Sequence, residues 1–254
     1  MRSDRLPAPF LKRIQLIADK ADPARFPFKH LAFLRGGDFI LDLRASVTIL
    51  VGENGSGKST LVEAIAHAAG FPALGGSQHH RPGEAAESAL APALRLSWLP
   101  KVSNGFFFRA ESFFSLSTYI DEVAELANYG GRELHRQSHG ESFLALFSNR
   151  LGSSGRALYL LDEPEVALSP TRQLAFLRIL RHWQRSGRVQ AVIATHSPII
   201  MALPGAQLLS LDGDTIRPVD LEQTEHYRVA RAFLADPAKA LRTLYRRRLR
   251  RRSP

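Results

Sequence analysis

The chain has 254 residues, 44% of them hydrophobic, a net charge of +10 and no cysteine. That length allows one large α/β domain or two small ones, and the apolar fraction suits a packed core. The missing cysteines exclude a disulfide framework and a Cys-based zinc site. No apolar run reaches the ~18 residues a membrane span needs, and the first twenty residues carry charges and prolines where a signal peptide needs an apolar stretch. A cytoplasmic protein is expected. Eight Lys and Arg residues with no acidic partner lie between 239 and 254, so most of the positive charge belongs to the tail and the remainder is nearly balanced.

From the N-terminus, Phe10–Ile17 and Phe39–Leu43 read as strands, separated by the irregular stretch marked by Asp22-Pro23 and Phe26-Pro27. Phe26, Phe28 or Phe33 can offer a flat apolar surface to an adenine, or each can belong to the core. Next comes VTILVGENGSGKST, residues 47–60: a β-branched apolar run, a glycine-rich loop and a helical pattern. Gly52, Gly57, Lys58 and Ser59 satisfy G-x-x-x-x-G-K-[ST] in the strand–loop–helix context the motif requires. Glycines at 52, 55 and 57 let successive backbone N–H groups turn inward toward phosphate oxygens. The helix beginning near Lys58 adds its positive end at the same place. Lys58 is placed to reach β- and γ-phosphates and Ser59 to offer a hydroxyl to Mg²⁺. Glu53, Asn54, Gly55, Ser56 and Thr60 complete the candidate ATP-binding loop.

After the loop, Leu61, Ile65 and Ala68 mark a helix face that ends at Gly70, with Pro72 beyond. His79 and His80 read as exposed loop histidines, because adjacent side chains diverge and make a poor metal pair. Leu94–Leu99 and Phe106–Arg109 read as strands, and Phe113–Leu126 and Phe143–Leu151 as helices. Ala157–Leu161 is a short apolar strand ending in Asp162-Glu163-Pro164. Thr171–Arg185 reads as a helix, and Val189–Thr195 as a buried strand followed by His196. Gln207–Leu211 with Asp212-Gly213 suggests a hairpin. Asp236-Pro237 makes a cap and first turn for a last helix.

Short, continuously apolar strands alternating with helices imply a largely parallel sheet, whose ligands bind beyond the carboxyl ends of its strands. Three strands end in chemically loaded residues: Gly52, Asp162-Glu163 and Thr195-His196. Asp162 can share Mg²⁺ with Ser59. Glu163, pointing elsewhere, can polarise a water for attack on the γ-phosphate. His196 can hydrogen-bond that phosphate and water.

Taken in order, GENGSGKST, SHGES, LYLLDEP and ATHSP resemble the motifs of ATP-binding-cassette ATPases, over roughly residues 10–215. The resemblance implies a P-loop NTPase fold of that architecture: a mostly parallel sheet flanked by helices, an antiparallel β portion and a helical signature lobe at about 112–152. The ATPase domain is expected at 1–235 and a basic helix or tail at 236–254. Ser138, His139, Gly140 and Glu141 stand where the family has its signature, with His139 for a glycine and Glu141 for a glutamine. The family pattern implies that they complete the ATP site of a second subunit, so a homodimer closing around ATP is expected. Arg109 or Glu111 occupies the region of the family's Q-loop glutamine, and Ser169 stands where its D-loop has aspartate. The loop, signature and LLDEPE…LSP look most like the soluble RecF- and SMC-related group of compact predicted ATPases, which implies a role in DNA repair or maintenance or as a nucleic-acid-linked switch. The alternative is the ATPase subunit of a membrane transporter. The arginine-rich C-terminus implies contact with DNA or RNA through backbone phosphates.

Overall fold

A computed structural model describes residues 6–36, 39–72, 88–110, 144, 147 and 155–250, with backbone alone from 244 onward. Two sheets are present. β1 (Leu11–Leu16) lies between β2 (Ile40–Asp42) and β4 (Leu94–Trp98), antiparallel to both. The second sheet runs β5 (Gly105–Arg109), β6 (Ala157–Asp162), β7 (Val189–Ala194), β3 (Val47–Val51), β8 (Gln207–Ser210) and β9 (Arg217–Pro218). All its neighbours are parallel except β8 and β9, which form the expected hairpin. The mostly parallel sheet and the antiparallel portion are both as the sequence implies. The lobe expected at about 112–152 falls, apart from residues 144 and 147, outside the described residues.

Every residue of β3, β6 and β7 is buried, as parallel strands covered on both faces require. The pleat divides them between two cores. Leu50, Leu160 and Val192 face α1 (Lys58–Ala68) and the small sheet, packing with Leu61, Val62, Ile65 and Ile14. Ile49, Leu161 and Ile193 face α2 (Pro170–Ser186), which presents Phe176, Leu180 and Trp183 at helical spacing. Each of these large side chains contributes roughly 1.5–3 kcal/mol by leaving water. α2 is bounded by its sequence: Ser169 accepts the N–H of Arg172 at 3.4 Å, Pro170 opens the first turn, and Gly187 ends the helix at φ 63°.

A buried glutamine joins the two sheets. Gln190 on β7 is fully buried, accepts the N–H groups of Phe10 and Leu11 at 2.7 and 2.8 Å, and donates to the Leu11 carbonyl at 2.9 Å. Past β7 come α3 (Pro198–Met201), α4 (Glu225–Ala235) and α5 (Pro237–Arg250). α5 begins at Asp236-Pro237 as expected, with the Asp236 carboxylate accepting the Lys239 N–H at 2.8 Å.

Candidate nucleotide-binding site

Because β6, β7 and β3 are adjacent and parallel, the three loaded strand ends come together at one edge of the sheet. The loop from β3 into α1 needs its glycines. Gly57 sits at φ 94° as the residue capping α1, and a Cβ there would lie 2.7 Å from Leu31 Cδ1. At Gly52 a Cβ would meet Ser56 Oγ at 2.7 Å and Asp212 Oδ1 at 3.0 Å. Asp212, which follows β8, ties the loop down: its Oδ1 accepts the Glu53 N–H at 2.8 Å.

Lys58 is buried, with its Nζ donating to the carbonyls of Gly52 and Glu53 at 2.7 and 3.0 Å. Burial pushes its pKa down, opposed by the charges of Glu163, Asp212, Asp162 and Glu53. Ser59, in the first turn of α1, is half-buried, and Asp162 ends β6 almost fully buried. Ser56 Oγ is buried with no hydrogen-bond partner among the described residues. A hydroxyl, a carboxylate, an ammonium and a loop with no room for a side chain at Gly52 or Gly57 suit a triphosphate with a hard cation.

Glu163 adopts φ 51°, ψ 52°, the single non-glycine residue with positive φ among those described. Such a backbone costs on the order of 1–3 kcal/mol and concentrates at functional positions. Its N–H donates to the Ala194 carbonyl at 2.9 Å, which fixes the Glu163 backbone beside the end of β7. Glu163 Oε1 lies 3.6 Å from His196 Nε2. The His196 N–H donates to Glu165 Oε1 at 2.5 Å, and its Nδ1 lies 2.8 Å from His226 Nε2. Burial first, then the Lys58 charge, holds His196 below the usual histidine pKa despite Glu163, which favours the neutral imidazole. Burial raises the pKa of Glu165, against hydrogen bonds from Thr195 and His196.

A cleft of about 250 Å³ runs between Phe26, the loop and the Glu163–His196 pair. Of the three candidate phenylalanines, Phe26 is 60% exposed and lines this cleft, whereas Phe28 and Phe33 are core. Arg109, at the end of β5, pairs with Glu63 of α1 at 3.3 Å; Glu111 lies outside the described residues, as do Ser138, His139, Gly140, Glu141, His79 and His80. The structure therefore gathers Gly52–Thr60, Asp162, Glu163 and His196, and adds Leu31, Glu165, Asp212 and His226. Asp212 carried a signal only as a turn residue. For His226 the signal was the Asp220–Gln223 capping box and the Thr224 cap, which announce a helix.

The family described as "AAA domain, putative AbiEii toxin, Type IV TA system" matches residues 47–130 and 142–202. Those spans include the loop, Asp162, Glu163 and His196, and they break across 138–141. The chain is 34% identical over 197 residues to the cytochrome c biogenesis ATP-binding export protein CcmA of Paracoccus denitrificans (strain Pd 1222), covering 72% of this chain and 87% of that protein. It is 25% identical over 236 residues to the hemin import ATP-binding protein HmuV of Enterobacter cloacae, covering 79% and 86%. A solved structure, the ADP conformation of MJ1267, an ATP-binding cassette of an ABC transporter, aligns at 13% identity with a TM-score of 0.49, covering 83% and 90%.

Proposed function

Because this chain belongs to the AAA-domain family and is an ABC-type ATPase, we propose that it hydrolyses Mg²⁺-bound ATP in the cleft beneath Phe26. The observation that carries this reading is the meeting of Lys58, Asp162, Glu163 and His196 at the ends of three neighbouring strands. Phe26 stacks on the adenine. The backbone from Gly52 to Thr60 holds the phosphates, and Lys58 exchanges the carbonyls of Gly52 and Glu53 for β- and γ-phosphate oxygens. Ser59 and Asp162 are the residues that would hold Mg²⁺, which supplies neutralising charge to those oxygens. Glu163 orients the attacking water and accepts its proton. His196, a neutral donor, steadies the γ-phosphate. Lys58→Ala is the test: ATP binding and turnover should both be lost, and wild-type turnover in the purified variant would overturn the assignment.

Hydrolysis takes place in a homodimer, with Ser138, His139, Gly140 and Glu141 of each subunit closing the other's ATP site. The cleft is lined by the exposed ring of Phe26, which supports a second surface closing over it. A role in DNA repair or maintenance, or as a switch linked to nucleic acid, draws support from the basic run on α5, whose arginines suit the backbone phosphates of DNA or RNA. Deleting 246–254 should then flatten the salt dependence of duplex binding and leave ATPase activity unchanged. The second reading is the ATPase subunit of a membrane transporter, favoured by the export and import proteins that match most of this chain's length. No helix among the described residues is long and apolar enough to cross a membrane.

A further inference from the structure

His226 lies beyond the residues matched by the family, yet its ring reaches the centre of the site. It is the second residue of α4, and that helix start is firmly held. Asp220 and Gln223 form a reciprocal capping box in the turn before it. Thr224, itself buried, accepts the Tyr227 N–H at 3.4 Å and donates to the Leu221 carbonyl at 2.7 Å. The two imidazoles are 4.9 Å apart between centroids and tilted by 54°, and the Nδ1–Nε2 separation of 2.8 Å is a hydrogen bond.

A neutral imidazole has one N–H donor and one acceptor nitrogen, so that bond couples the tautomers of the two rings. On the far side of His196, Nε2 faces the Glu163 carboxylate at 3.6 Å. The negative charge there favours a proton on Nε2, which leaves Nδ1 as the acceptor and His226 Nε2 as the donor. We propose that His226 is a positioning residue for ATP hydrolysis: its Nε2–H donates to His196 Nδ1 and holds His196 as the Nε2–H tautomer, with that N–H aimed at Glu163 and the γ-phosphate. The C-terminal helices thereby set the geometry of the hydrolytic site. This inference rests on the reading of His196 as a γ-phosphate contact.

His226→Leu, His226→Gln, His196→Ala and the His196→Ala/His226→Leu double variant separate the two ideas. For His226→Leu, kcat should fall about tenfold, the low end of what a metal-ligating histidine loses with the partner of its other ring nitrogen, with KM for ATP within about twofold. His226→Gln, whose amide still donates, should recover most of that loss and also covers the case in which the leucine variant misfolds. The double variant should be no slower than His196→Ala, since His226 acts only through His196. Nitrogen-detected imidazole NMR should find His196 as the Nε2–H tautomer in the wild type and shifted toward Nδ1–H in His226→Leu. If His196→Ala keeps wild-type turnover, the reading of His196 itself fails. If His196→Ala is slow while His226→Leu is not, or the tautomer does not move, the positioning role alone is overturned.

Discussion

The Asp212 carboxylate accepts the Glu53 N–H at 2.8 Å, joining the end of β8 to the phosphate loop that leaves β3. The second carboxylate oxygen accepts from Ser210 Oγ at 3.3 Å, so the tether is itself braced. A hydrogen bond to a charged group contributes roughly 1.5–3 kcal/mol, and Asp212 touches the loop rather than the reacting atoms. Asp212→Ala should raise KM for ATP about tenfold and leave kcat within about threefold. Steady-state kinetics checks this, and a fall in kcat at constant KM would contradict it.

Gln190 fills three hydrogen bonds in a fully buried position between the sheets. Gln190→Leu keeps much of the volume but takes the side-chain partner from the N–H groups of Phe10 and Leu11 and from the Leu11 carbonyl. With each unsatisfied group costing roughly 1–3 kcal/mol, the variant should lose at least about 3 kcal/mol. Chemical denaturation measures it, and a loss below about 1 kcal/mol would show that β1 finds other partners.

Glu163 holds a left-handed backbone that glycine adopts without strain. Glu163→Gly should therefore fold at least as stably as the wild type, with a gain of up to about 1 kcal/mol, while turnover falls at least about 100-fold. Thermal melts and phosphate release test both halves. A clear loss of stability would mean that the carboxylate holds the fold as well as the water.

Glu165 gives a pH signature. Its folded pKa is raised above the ordinary 4.5 by burial, so the folded state binds the extra proton and stability falls as pH climbs from about 4.5 through the raised value. Below that window the group contributes no difference, and above it the full cost of a buried carboxylate applies. Glu165→Gln keeps an oxygen for the His196 N–H and has no charge to desolvate. Its stability relative to wild type should therefore grow from pH 4 to pH 7, and denaturation midpoints at the two pH values check the sign.

Sequence order carried the main axis of the site. The loop, Asp162-Glu163 and His196 each stand at or just past the end of a strand buried along its length, and parallel strands deliver such ends to one edge whatever their order. Asp212 was legible only as a turn, because its reach to Glu53 depends on β8 lying beside β3, and strand order is not written locally. α4 escaped because Val229, Phe233 and Leu234 face outward, so its apolar residues do not mark a core stripe and its packing hangs on polar caps. Choosing Phe26 over Phe28 and Phe33 likewise needed three dimensions, since all three share one chemistry and differ only in burial.

The most direct test of ATP hydrolysis at this site is retention of labelled ATP by Glu163→Gln, with size-exclusion chromatography on the same sample. The glutamine keeps the shape and hydrogen-bonding capacity of the side chain but cannot accept the proton of the attacking water. The variant should hold intact ATP with Mg²⁺ and elute at twice the wild-type mass, while wild-type protein releases ADP and elutes as the monomer once ATP is spent. Conversion of ATP to ADP by Glu163→Gln at the wild-type rate would contradict the account.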